Sequence, residues 1–222
     1  MGSSYGSYLG MKIAKEKPEW LYAYIGVSQL VNVIESIREE HALLLNHVRK
    51  ENNNELVTKL EAMIPRPDPS NKMGSFMEHL GLIGKELFRL GKFDLNPEDF
   101  GFMMKFGFLT SSHYTLFDLK NFYFGDPSPV FSSESEFGEE FMDIDLPSEV
   151  GSSFDVPIIF MTGVHDWHVP YTLTDAWFQE IKAPHKEQVW FEDSSHIPSY
   201  TVPGKFLVAL VAKVLPLAQG KN

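Results

Sequence analysis

Gly2-Ser3-Ser4-Tyr5-Gly6 stands at the start of the chain. It reads G-x-S-x-G, the pattern of a nucleophile elbow, in which a serine sits on a sharp turn between a strand and a helix. Glycines are expected at both flanks because a side chain there would clash. Only Met1 precedes the motif, so the chain reads as beginning in the middle of a fold. Met-Gly-Ser-Ser also opens many expression tags. No histidine run follows here. Instead Ser7 to Lys17 reads as a helix with an apolar face, broken at Pro18.

Beyond this helix, Trp20 to Val27 is a continuous apolar and aromatic run, as expected of a parallel strand buried on both faces. From Asn32 to Leu60 the period becomes helical, with Val33, Ile37, Leu44, Val48, Leu56 and Leu60 recurring among polar residues and a break at residues 51–54. Pro65 to Pro69 ends the pair. Residues 73–124 are rich in Phe, Met and Gly and read as short helices with an aromatic face. That face is either packing between helices or the lining of an apolar pocket. Residues 125–155 are rich in Pro, Ser and acids and read as a connecting loop.

The pattern then alternates between strand and helix. Val156 to Met161 reads as a strand, Thr172 to Ile181 as a helix, Gln188 to Phe191 as a strand and Pro203 to Leu215 as an amphipathic helix. Strand, loop and helix repeated twice imply a parallel α/β sheet. In such sheets functional groups lie just beyond the C-terminal ends of strands. Ser4, Asp166 and His196 all fall at such places. Their order along the chain, Ser then Asp then His, is that of α/β-hydrolases. A serine hydroxyl needs an adjacent imidazole to take its proton, and the imidazole needs a carboxylate to set its tautomer. The backbone N–H of Tyr5 would serve as one oxyanion donor. His165 and His168 have metal-ligand spacing, but no further ligands cluster with them in the sequence, so no metal is expected.

Composition excludes other classes. The net charge is −11, against a nucleic-acid partner, which needs a basic face. There is no cysteine, hence no disulfide, thiolate nucleophile or cysteine-bound zinc. The most apolar run, Phe206 to Ala218, is short and holds Lys213, so no membrane span is expected. A cytoplasmic location fits these features.

Both ends of the chain resemble the proline iminopeptidase (prolyl aminopeptidase) family of the α/β-hydrolases. The resemblance rests on Gly2 to Gly10, Pro18-Glu19 and Ala23 to Asn32 at the start. At the other end it rests on Val156 to Phe160, Gly163-x-x-Asp166-x-x-x-Pro170, Ile181 to Lys186, Phe191-Glu192-x-x-x-His196-x-Pro198 and Pro203-x-x-Phe206. It implies a hydrolase core over residues 1–32 and 151–222, with a helical cap inserted over 33–150. It implies Ser4 as nucleophile, Asp166 as orienting acid and His196 as base. The implied reaction releases N-terminal proline, or a similar residue, from peptides through an acyl-enzyme, without metal or organic cofactor. Cap carboxylates would hold the substrate amine, and Glu35 and Glu39 are the candidates. An esterase or amidase of the same fold, and a non-catalytic interaction protein, are the alternatives. The family carries strands and a His-Gly-Gly-Pro-Gly oxyanion loop before the elbow, which these residues lack. The chain is therefore expected to be a truncated form, inactive alone, with an open sheet edge through which it could form an oligomer.

Overall fold

In the computed structural model the described residues are 1–63, 68, 72–93, 106, 107, 109–118, 120 and 136–219. The sheet is built around two strands whose every residue is buried, β2 (Tyr24–Gln29) and β3 (Ile158–Gly163). They pair in parallel, with β1 (Gly2–Ser4) outside β2 and β4 (Lys186–Phe191) outside β3, in the order β1-β2-β3-β4. Side chains alternate between the faces, as a strand dictates. Tyr24, Ile158 and Phe160 enter one apolar cluster, together with Met11, Trp177 and Phe178. Ile25, Val27, Ile159 and Met161 enter the other, against Phe206 and Ala209. A layer of helix covers each face.

The first face is covered by α1 (Tyr5–Glu16), which begins directly on Ser4, and the 3-10 turn Pro18–Trp20 follows it. The second strand starts later than the aromatic run suggests. Trp20 and Tyr22 are 69% and 57% exposed, so the strand keeps only the part of the run that both faces bury. Next come α2 (Val33–Lys50) and α3 (Asn54–Ala62), broken near residues 51–53 as the periodicity predicts. Each begins on an asparagine whose side chain accepts a backbone N–H, Asn32 from Glu35 and Asn53 from Leu56.

In the aromatic stretch, α4 (Lys72–His79) runs through a π-helical turn, Leu80–Gly84, into α5 (Lys85–Arg89). Leu44, Val48, Leu56, Leu60, Ile83 and Leu87 form a buried cluster of their own away from the sheet. Phe100, Phe102, Met103, Met104, Phe108 and Glu134 lie outside the described residues. The acidic stretch is not wholly a loop, since it contains α6 (Glu136–Met142) and α7 (Leu146–Val150). Leu146 and Val150 are buried against the sheet, which is why the second of these helices forms there.

After β3 come α8 (Tyr171–Glu180), β4, the short α9 (Pro198–Thr201) and α10 (Pro203–Ala209). The last helix then passes through a π-helical turn, Leu210–Val214, into α11 (Leu215–Gln219). No described helix is long and apolar enough to cross a membrane.

Candidate active site

Ser4 ends β1 and caps α1 with φ 52° and ψ −126°. A non-glycine residue rarely adopts positive φ, and holding one there costs about 1–3 kcal/mol. The turn is tight enough to exclude a side chain at Gly2, where a Cβ would lie 2.2 Å from the Gly6 carbonyl oxygen. The other glycine of the motif behaves differently from the sequence expectation. A Cβ on Gly6 would meet nothing within 4 Å, because that residue already lies in the helix and points away from the turn. Ser7, fully buried, fastens the elbow: its hydroxyl donates to Ser4 O and accepts the Leu30 N–H at 2.9 Å, tying the turn to the end of β2. Tyr5 follows Ser4 as the first residue of α1, so its backbone N–H stands at the positive end of that helix, directly beside the serine.

Asp166 and His196 come from the loops after β3 and β4. Asp166 is wholly buried; its Oδ1 accepts the Val169 N–H at 2.8 Å and its Oδ2 lies 2.9 Å from His196 Nδ1. A carboxylate can only accept, so Nδ1 carries the proton and Nε2 is the ring's basic nitrogen. The loops meet because Gly163 lets them. A Cβ there would sit 2.1 Å from Ser195 O and 2.5 Å from Ser194 O. His165 N–H donates to Ser194 O at 3.1 Å across the same contact. The His196 carbonyl accepts from the Ser28 hydroxyl at 2.7 Å, which secures its loop to the far end of β2. Ser28 itself has φ 46°.

Ser4 and Tyr5 line a partly open cavity whose walls include Leu30, Val33, Ile37, Phe76, Phe141 and Val169. Its polar wall comprises Ser36, Glu40 and His168 beside Ser4. The structure brings Asp166 and His196 into contact directly; among the hydrogen bonds of the described residues none joins Ser4 to His196. His168 links the two parts, since it lines the cavity with Ser4 and sets its ring edge-on to that of His196, 5.1 Å between centroids.

The acidic candidates change. Glu35 pairs with the exposed Arg38 and Glu39 accepts from the Thr172 hydroxyl, both outside the cavity lining. Glu40 is the buried carboxylate, 3% exposed, with Oε2 2.8 Å from His79 Nε2 and Oε1 3.2 Å from His168 Nδ1. Burial opposes charge on Glu40, but the bonds from His168 and His79 outweigh it and hold the carboxyl below its usual range. Burial likewise opposes charge on His168, and the attraction of Glu40, with Asp166 beyond it, raises its pKa. The sequence held a signal for this residue: Glu40 falls three after Ile37 and four before Leu44, on the inward stripe of α2. A charge on a core stripe marks either a fault or a site. Among the described residues no group of three or more His, Cys, Asp or Glu is placed to hold a metal ion.

No family model matches the chain. A probable aminopeptidase, YbaC, of Bacillus subtilis (strain 168) is 26% identical over 208 residues, covering 92% of this chain and 61% of that protein. Among solved structures, an alpha/beta fold family hydrolase from Bacillus anthracis str. Sterne aligns at TM-score 0.50 with 19% identity, covering 95% of this chain and 65% of the other. MGS-M2, an alpha/beta hydrolase enzyme from a Medee basin deep-sea metagenome library, aligns at TM-score 0.49 with 15% identity, covering 95% and 62%. The chain thus spans less than two thirds of the length of each. Its fold is that of an α/β-hydrolase, a parallel sheet flanked by helices.

Proposed function

We propose that this chain carries the site of a serine hydrolase of aminopeptidase type, which releases an N-terminal proline or similar small residue from a peptide. The observation that carries the reading is the buried Asp166–His196 pair at 2.9 Å. A serine on a strained elbow lining the neighbouring cavity fits it, and the name of the Bacillus subtilis relative points the same way.

In this reading Ser4 Oγ attacks the substrate carbonyl carbon and His196 Nε2 takes the hydroxyl proton. Asp166 stabilises the imidazolium that forms, and the Tyr5 N–H donates to the developing oxyanion. The C–N bond then breaks, and the leaving amine takes the proton from His196. Water, deprotonated by the same imidazole, hydrolyses the acyl-enzyme and restores Ser4. Glu40 is placed in the cavity wall where a substrate ammonium would meet a carboxylate, and the apolar walls suit a compact ring such as that of proline.

Losing an oxyanion donor costs roughly a hundredfold to a thousandfold in rate, which would abolish detectable turnover and still permit slow covalent capture. The test therefore reads covalent capture over hours rather than turnover. The chain is treated with a fluorophosphonate and the adduct mapped by mass spectrometry. An adduct on Ser4 that is absent from Ser4→Ala is expected. No adduct, or equal capture in the variant, overturns the serine assignment.

The apolar cavity walls also favour a second reading, an esterase or amidase acting on a small apolar acyl group. Faster hydrolysis of a short acyl ester than of a prolyl arylamide would select it.

A further inference from the structure

Three consecutive residues after α5 reach the two loops that hold Asp166 and His196. Gly91, at φ 66°, turns the chain, and its carbonyl accepts the Ser195 hydroxyl at 2.7 Å. The Lys92 ammonium lies 4.9 Å from the centre of the Trp167 ring. Phe93 packs its ring 4.9 Å from that of His168 and 4.9 Å from that of His196, tilted 35° to the latter. Behind it stands Phe88, 4.5 Å away, and both Phe93 and Trp167 rest on the cluster of Leu44, Leu60 and Leu87. The contact is thus anchored in the core of the helical insertion.

The Asp166 bond alone does not fix the His196 ring. An imidazole held at Nδ1 can still tilt about the line to Oδ2, and that tilt decides where Nε2 points. The Phe93 face on one side and the His168 edge on another remove the freedom. They also leave His196 only 4% exposed, so that water does not compete for the Asp166 bond.

We propose that Phe93 is a positioning residue of the hydrolase, setting the tilt of His196 and shielding its bond to Asp166, so that the insertion completes the site as well as covering it. The inference rests on the reading of His196 as the base. Mispositioning a reacting group by about an ångström can cost on the order of a hundredfold in rate, and loss of a single packing face is expected to cost about tenfold.

The test has two readouts. In the proton NMR spectrum of the 222-residue chain, the His196 Nδ1–H is expected as a downfield signal that exchanges slowly with water. Phe93→Ala is expected to broaden it away and to slow fluorophosphonate capture at Ser4 about tenfold. Phe93→Tyr, which restores the ring, is expected to recover both. A wild-type signal or a wild-type capture rate in Phe93→Ala overturns the proposal. If circular dichroism finds Phe93→Ala unfolded, Phe93→Leu takes its place under the same criteria. Should the wild-type chain give no Ser4 adduct, the serine reading fails, and the NMR signal still decides the role of Phe93.

Discussion

His196 and Asp166, thirty residues apart in the chain, meet with Nδ1 and Oδ2 2.9 Å apart because the loops after β3 and β4 share a backbone contact at Gly163. Among the described residues the carboxylate otherwise accepts only the Val169 N–H of its own loop. Asp166 thus holds one tautomer of the imidazole.

Replacing Asp166 with Asn therefore preserves the shape and alters the tautomer, because an amide nitrogen would now donate to Nδ1. Capture of a fluorophosphonate at Ser4 should fall by a factor on the order of 10⁴, with the far-ultraviolet circular dichroism unchanged. A loss below tenfold would remove Asp166 from the mechanism.

Gly163 and Gly6 should respond in opposite directions to alanine. At Gly163 the new methyl would sit 2.1 Å from Ser195 O, and backbone cannot yield as a side chain would. Urea denaturation should find Gly163→Ala less stable by about 3 kcal/mol. Gly6 lies in α1 with open space at its Cβ. Gly6→Ala should gain about 0.5–1 kcal/mol, the ordinary helix preference for alanine.

The Glu40–His168 pair makes stability depend on pH in a defined window. Glu40 has a lowered pKa in the folded chain, so its contribution is complete above the ordinary carboxylate value and is lost as pH falls through the folded value. His168 has a raised pKa, so its contribution is complete below the ordinary imidazole value and is lost as pH rises through the folded value. Both act together between about pH 4.5 and 6.5. Glu40→Gln should be less stable by about 3 kcal/mol in that window, with the difference shrinking on either side. A difference constant from pH 4 to 9 would contradict the pairing.

Ser28→Ala should loosen the His196 loop without touching the cavity. It leaves the His196 carbonyl without its bond from Ser28, at a cost of about 1–2 kcal/mol by urea denaturation. Capture at Ser4 should slow as well. A destabilised variant with an unchanged capture rate would show that Ser28 supports the fold alone.

Much of the candidate site is legible in the chain because its parts are local. The strand runs are apolar on both faces, the elbow is a five-residue pattern, and Asp166 and His196 each follow a strand directly. Periodicity also located the break between α2 and α3. It failed at Trp20 and Tyr22, where aromatic residues exposed at a strand's entry look the same in sequence as those buried in it. Nearness in sequence to the Gln29–Asn32 stretch points to Glu35 and Glu39, whereas helical phase puts Glu40 on the buried side of α2.

Sequence alone determined the order of elements and the three residue types brought to the ends of the strands, since hydrophobic period and turn chemistry act over a few residues. Only the tertiary structure decided which carboxylate is buried, that Gly163 rather than Gly6 is sterically required, and that Phe93 lies on His196. Each of these depends on atoms from segments far apart in the chain, and no local pattern records which backbone will lie against which side chain once the sheet and the helices have packed.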